Sequence, residues 1–345
     1  MASEPRRILI VRLSAIGDVI LASGLIPALK ARWPKAELAW LTESGQADLL
    51  RHHPGLARLH LLPRARWARA WREGRRGDVW REARAFVAEL RAARYDLVLD
   101  VQGLLKSGVL ARLTGAPERI GLGSKEGSGW LMTRVVSRAV ASHRPGKEYR
   151  ALAAELGAPE AAYRLEVVLA EADRARAGAL LAEAGVGGEF AVCCPFTTRP
   201  QKHWFEERWI DLARRIQREL GLRVVILGGP GDREASLPLA EAAGAVNLVG
   251  RTGLGEAGAL IERARLLIGV DTGLTHLGLA TGTPTLALFG STRPYLEPMA
   301  PRSRVLYVPR DCSPCRRRPT CDGRFDCMRA HEVDAVLAAA RGCLA

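Results

Sequence analysis

With 345 residues, 48% of them apolar and 26% charged, the chain has the balance of a soluble globular protein and length enough for two ordinary domains. Its net charge of +14 rests on arginine, since only six of the 51 basic residues are lysine. The most apolar long stretch, 266–290, carries Asp271, His276 and Pro284, which excludes a transmembrane helix.

The N-terminus runs straight into a first strand over 7–12, so no leader is expected and the protein reads as cytoplasmic, its seven cysteines reduced. Short β-rich runs then alternate with helical patterns, the signature of parallel α/β architecture. A helix is predicted over 19–29. Strands 37–41, 56–61, 97–101 and 119–122 follow, then a Gly/Ser-rich stretch 123–129 and a helix over 148–156. Residues 157–171 hold Pro159 and one strand-like run, 164–169, and mark a domain junction. The second half repeats the scheme with strands 189–194, 222–227, 245–249, 265–270 and 284–289, and closes on a helix from about 331 to 343. The expected assembly is two Rossmann-like domains, 1–160 and 161–330, facing a central cleft, with a C-terminal helix over 331–345.

Charge concentrates between Arg58 and Arg94, where eleven arginines stand against Glu73, Asp78, Glu82 and Glu89. With Trp67, Trp71 and Trp80 among them, the stretch suits a nucleic acid, an anionic membrane surface or a phosphorylated substrate. The plain alternative is a solvated helix face.

Asp18 falls just beyond the carboxyl end of the first strand, where an open α/β sheet presents its ligands. The alternative is a carboxylate that only caps a helix. Three loops in the second half also end strands. Thr197-Thr198 with Lys202 suits a phosphate, and Gly228-Gly229-Pro230-Gly231-Asp232 suits close approach of a nucleotide. In Asp271-Thr272-Gly273-Leu274-Thr275-His276 a helix N-terminus can meet a pyrophosphate while Asp271 accepts from a sugar hydroxyl. No Walker A loop, zincin motif, early G-x-G-x-x-G or Asp-x-Asp occurs. A dinucleotide oxidoreductase and a transferase that bridges its sugar nucleotide through a metal are therefore disfavoured.

Four segments together carry a resemblance that spans essentially the whole chain: Ser14-Ala15-Ile16-Gly17-Asp18-Val19, Asp100-Val101-Gln102-Gly103-Leu104-Leu105-Lys106-Ser107, Thr197-Thr198 with Lys202-His203-Trp204, and Asp271 to His276. The sequence resembles the heptosyltransferases of glycosyltransferase family 9, which use ADP-heptose in lipopolysaccharide inner-core assembly. The Gln-Gly-Leu-x-Lys-Ser run and the Arg/Trp stretch look more like heptosyltransferase I than II. The resemblance implies an α/β GT-B fold and an inverting, metal-independent transfer to a Kdo residue, with no cofactor. It implies Asp18 as general base and a donor site of Thr197, Thr198, Lys202, Asp232, Asp271, Thr272, Gly273 and His276. Lys202, the threonines, Gly273 and His276 then serve the diphosphate, Asp271 the heptose and Asp232 the ribose. Arg64, Arg66, Arg69 and Arg72, with Gln102, Lys106 and Lys125, would hold the phosphates and carboxylates of a Kdo–lipid A acceptor. Asp232 stands where the family carries Glu, and Lys125 where it tends to have Arg. The expected protein is a monomer, peripheral on the cytoplasmic face of the inner membrane, with no nucleic-acid partner. The rival readings are heptosyltransferase II, another ADP-heptose transferase with a different acceptor and, more distantly, a nucleic-acid-binding α/β protein.

Cys312, Cys315, Cys321 and Cys327 form C-x2-C-x5-C-x5-C, interleaved with Arg316, Arg317 and Arg318. In a reducing compartment they read as a structural metal site, zinc first and an iron–sulfur cluster second, with free thiols in an irregular loop as the alternative. Cys193 and Cys194 end a core strand and read as packing residues.

Overall fold

The computed structural model describes residues 4–315 and 318–345, and the chain divides into two units. The first is Met1–Ala141 with Gly146–Val168; the second is Ser142–Pro145 with Leu169–Ala345. In the first unit β1 (Arg7–Val11), β2 (Glu37–Glu43), β3 (Arg58–Leu62), β4 (Leu97–Asp100), β5 (Glu118–Leu122) and β6 (Arg134–Val136) form a parallel sheet in the order β3-β2-β1-β4-β5-β6. In the second, β7 (Phe190–Cys194), β8 (Arg223–Ile226), β9 (Val246–Asn247), β10 (Leu266–Val270), β11 (Thr285–Phe289) and β12 (Arg304–Tyr307) pair in parallel as β12-β11-β10-β7-β8-β9. Counted from the first strand of each unit, both orders are 3-2-1-4-5-6, the doubly wound Rossmann arrangement. Central strands of such a sheet are covered on both faces, which is why Ile8 to Val11, the whole of β7 and β10, and Leu286 to Phe289 of β11 are apolar and buried.

Several elements differ from their sequence reading. The predicted helix 19–29 is two helices, Ile16–Ser23 and Leu25–Arg32, parted at Gly24. A Cβ at Gly24 would lie 2.5 Å from the Tyr163 ring, and the Tyr163 hydroxyl donates to the Leu21 carbonyl. The run 164–169 forms no strand; it is tied instead by the Glu166 N–H donating to Ser23 Oγ at 3.0 Å. Strands β6 and β12 carry little sequence signal because they are short edges, three and four residues long, each opening on an arginine. The terminal helix Val333–Leu344 sends Val336, Leu337, Ala340 and Cys343 into the core of the second unit beside Met328. No helix among the described residues is long and apolar enough to cross a membrane.

The loop after β4 is built on one buried acid. Asp100 Oδ1 accepts from the Gln102 and Gly103 N–H groups at 3.2 and 3.0 Å, and Oδ2 from the Ser107 hydroxyl at 3.1 Å. Burial dominates its environment and pushes its pKa up. Gly103 has φ +67°, and a Cβ there would meet the Leu122 carbonyl at 2.5 Å, so the turn requires glycine. Asp100→Ala orphans the buried Gln102 and Gly103 N–H groups at once, while the Ser107 hydroxyl keeps the Leu104 carbonyl at 2.9 Å. At about 1–3 kcal/mol for an unsatisfied buried donor, with partial relaxation, the expected loss is roughly 2–4 kcal/mol in urea denaturation; a loss below ~1 kcal/mol overturns this account of the loop.

Candidate active site

In a doubly wound sheet the first and fourth strands send their chains to opposite faces, and the crevice at their carboxyl ends takes ligands. In the first unit that point lies between β1 and β4. Asp18 sits there at the third position of the helix Ile16–Ser23, and its Oδ2 accepts the Ala15 N–H at 3.4 Å. The same oxygen is paired with the guanidinium of Arg12, the residue that follows β1. Arg12 is buried, and its Nη1 donates to the Val101 carbonyl at 3.0 Å. Burial pulls the Arg12 pKa down, but Tyr149 and Asp18 outweigh it and hold it above its ordinary value. The Asp18 side chain stays 45% exposed. Its capping role is therefore real and leaves the carboxylate accessible.

The proposed acceptor residues separate into groups. Gln102 is buried, with Oε1 accepting the Leu13 N–H at 2.8 Å, so it fixes the loop before Asp18. Arg64 and Lys106 come together on the half-buried Glu43 carboxylate, at 2.9 and 3.7 Å. Lys125 is exposed, and its backbone N–H donates to the Gly103 carbonyl at 2.8 Å. On the helix Arg64–Arg72, at 3.6 residues per turn, Arg64, Arg72, Arg69 and Arg66 fan over about 200° of circumference. Four arginines spread this way do not line one face. Arg66 is drawn instead to Glu82, which also accepts from Trp67 Nε1 at 2.7 Å. Trp67 stands edge-on to Phe86, so its ring is not an open stacking platform.

In the second unit the equivalent point lies between β7 and β10, and Asp271 is its hub. Lys202 Nζ approaches Asp271 Oδ2 at 2.5 Å and donates to its carbonyl at 3.2 Å. His276 Nε2 lies 3.3 Å from Oδ1, and the Thr292 hydroxyl donates to Oδ2 at 2.6 Å. Since a carboxylate only accepts, Nε2 carries the proton; in the neutral ring Nδ1 then accepts from the buried Tyr295 hydroxyl, 2.9 Å away. Burial pushes the Asp271 carboxyl up, but His276 and Lys202 outweigh it and hold it well below the usual carboxylate range. Burial and the Asp271 charge keep Tyr295 protonated, with its pKa well above normal.

Thr272 begins the helix Gly273–Thr281, whose first amides point out at this hub. Thr197 and Thr198, half-buried and exposed, share the loop after β7 with Lys202; His203 Nε2 braces that loop on the Thr197 carbonyl at 2.8 Å. The loop after β8 abuts it, since a Cβ at Gly228 would meet the Phe196 ring at 2.8 Å. Asp232 there accepts the Gly229 N–H through Oδ2 at 2.9 Å. Sequence reasoning missed Arg12, Thr292 and Tyr295. A charged residue ending a buried strand and a Gly-Ser-Thr turn after β11 were the available signals for the first two.

The metal expectation at Cys312, Cys315, Cys321 and Cys327 finds no support among the described residues. Burial, with neighbouring thiols adding to it, pushes the Cys315 and Cys327 thiols up. Cys327 packs at the end of β11, where a Cβ on Gly290 would meet its sulfur at 2.8 Å. Among the described residues no three His, Cys, Asp or Glu side chains are arranged to hold a metal ion. Arg316 and Arg317 lie outside the described residues. Cys193 and Cys194 are buried in β7 as expected.

Comparison with known proteins agrees with this geometry. The family model of glycosyltransferase family 9 (heptosyltransferase) matches residues 83–324. Lipopolysaccharide heptosyltransferase 1 of Pseudomonas aeruginosa is 32% identical over 322 residues, 91% of this chain and 87% of that protein. The glycosyl transferase family 9 structure from Veillonella parvula DSM 2008 superposes with a TM-score of 0.84 at 22% identity, over 98% of this chain and 97% of that one. E. coli heptosyltransferase WaaC with ADP-2-deoxy-2-fluoro heptose gives 0.71 at 27% identity, over 96% and 98%. The two sheets are thus those of an α/β GT-B fold.

A carboxyl whose folded pKa is depressed stabilises fully above its unfolded value, near 3.9, and progressively less as pH falls towards the folded value. Asp271→Asn should therefore cost roughly 3 kcal/mol near neutral pH, and the gap to wild type should narrow below about pH 4. Urea midpoints from pH 2.5 to 7 test this; a gap that widens on acidification overturns it.

Proposed function

The chain belongs to glycosyltransferase family 9, the heptosyltransferases, and from that premise we propose that it moves heptose from ADP-heptose to a Kdo residue of the lipopolysaccharide inner core, with inversion and without a metal ion. The observation that carries the reading is Asp18, accessible at the end of β1 yet anchored on Arg12. Both of its contacts fall on Oδ2, which leaves Oδ1 to take the proton of an acceptor hydroxyl as that oxygen attacks the anomeric carbon. The bond to ADP breaks in the same displacement, and negative charge grows on the diphosphate. An ammonium has three donors, and two of Lys202's are directed at Asp271; the third, with the amides opening the helix Gly273–Thr281, meets that charge in place of a divalent ion.

Asp271 already accepts from three side chains, so about one acceptor position remains for a heptose hydroxyl. Asp232 keeps Oδ1 for the ribose. Arg64 and Lys106, brought together on Glu43, are the best-supported ligands for the acceptor's anionic groups. The proposal includes action as a monomer, peripheral on the cytoplasmic face of the inner membrane, with no cofactor.

Asp18→Asn is expected to lower kcat by about 10²–10⁴ while ADP-heptose binds as in wild type, because the substitution removes only the base. Near wild-type turnover with intact donor binding would reject Asp18 as that base. Exhaustive EDTA treatment is expected to leave ADP release unchanged. Loss of turnover restored by a divalent cation would instead reject the metal-independent displacement.

A further inference from the structure

Nine large apolar residues stand exposed among the described residues, and four of them gather in one corner of the first unit. Leu105 and Val109, 46% and 41% exposed, lie one turn apart on the helix Leu105–Leu113 and share a face. That helix presses on the turn Ser128–Leu131, since a Cβ on Gly108 would meet Ser128 and Leu131 at 3.0 and 3.3 Å. The turn presents Trp130, which is 95% exposed and so buries almost none of its indole. The next element, edge strand β6, adds Val135 at 50% exposure; its Cγ2 lies 3.7 Å from a Cβ built on Gly129. A tryptophan left almost wholly in water adds little apolar burial to the unit. Such clusters mark contact surfaces.

Its rim identifies the contact. Lys106, Arg112, Lys125 and Arg134, all exposed, flank these residues; Arg134 also meets Glu155 at 3.1 Å and Lys106 meets Glu43 at 3.7 Å, while Glu126 accepts the Leu105 N–H. An indole with nearby aliphatics inside a basic rim matches the headgroup region of an anionic bilayer, where tryptophan sits at the interface and lysine and arginine meet lipid phosphates. The helix also starts at the carboxyl end of β4, the same sheet edge that carries Asp18 and the Arg64–Lys106 pair.

We propose that Leu105, Val109, Trp130 and Val135 form the surface by which this protein seats on an anionic lipid bilayer, its sheet edge turned to acceptors anchored there. The proposal rests on the transferase reading for its purpose but not for its measurement. Seating buries the indole and the aliphatics in the interfacial layer, while the basic rim supplies the salt-dependent part of the binding.

Sedimentation with vesicles of phosphatidylethanolamine and phosphatidylglycerol tests it, with phosphatidylcholine vesicles as the neutral control. Wild type is expected to partition to the anionic vesicles and far less to the neutral ones. The combined substitution Leu105→Ser, Val109→Ser and Trp130→Ser is expected to lower partition at least about tenfold, since it removes several buried apolar side chains. Because all three are exposed, its far-UV spectrum and Tm should match wild type, and Trp130→Phe should restore most of the binding in a background that keeps Leu105 and Val109. Partition of the folded triple variant equal to wild type would overturn the proposal, as would equal binding to neutral vesicles. A concentration-dependent dimer abolished by the triple variant, with vesicle binding untouched, overturns it too and gives the surface to a second copy. ADP release with a deacylated, soluble acceptor reads the transferase activity separately. The triple variant should retain that activity, and its absence in wild type would sink the transferase reading without altering the partition result.

Discussion

A parallel strand whose chain leaves the sheet towards one face, beside a strand whose chain leaves towards the other, opens a gap at their shared carboxyl edge. The strand order of both units imposes that gap once each, between β1 and β4 and between β7 and β10. Nearly every residue with chemical potential in this protein is addressed to one of the two gaps. Asp18 follows β1, Asp100 ends β4 and Gln102 follows it, while Lys202 and Asp271 follow β7 and β10. Burial of the strands on both faces is what makes the gaps rigid enough to hold charged groups in fixed contact.

Three carboxylates at these gaps do different work because their surroundings differ. Asp100 is fully buried, takes three neutral donors and has its pKa pushed up, so it acts as a keystone for its loop. Asp271 is nearly as deep, but Lys202 and His276 reach it, and its pKa is held down. A buried charge matched in this way costs little to keep and much to unpair. Asp18 shares Oδ2 between a guanidinium and a helix amide and keeps its other oxygen towards solvent. Among the three it is the carboxylate with access and orientation together.

Charge counting overstated the arginine stretch. Arg66 pairs with Glu82, Arg75 with Glu73 and Arg81 with Asp78, so local acids take up part of the excess. Helical periodicity scatters the rest around the circumference. The basic groups that converge come instead from different segments, Arg64 after β3 and Lys106 after β4, joined through Glu43 at the end of β2. The exposed indole of Trp130 belongs to the same lesson. Its sequence context, a Gly/Ser-rich loop, carried no hint that Leu105, Val109 and Val135 would surround it.

The sequence by itself determined the alternation of strands and helices, the two-fold repetition of that scheme, and the loops that end strands in chemistry-bearing residues. These are local: apolar runs, glycines and strand-end polar residues act within a few positions of one another. It also singled out Asp18, Lys202, Asp271 and His276 as candidates, since each lies in a loop or helix start that follows a strong strand signal. Tertiary structure alone decided which of them meet. The partners of Asp271 lie 69 residues before it, five after it and 21 after it, and Arg12 joins Asp18 only because β1 and its helix fold back on each other. It likewise decided that the four cysteines near the C-terminus are thiols without a metal-holding arrangement among the described residues, a matter of side-chain direction that spacing does not encode. Short edge strands such as β6 and β12 were invisible for the complementary reason. Their pairing is supplied by a neighbouring strand and not by a pattern of their own.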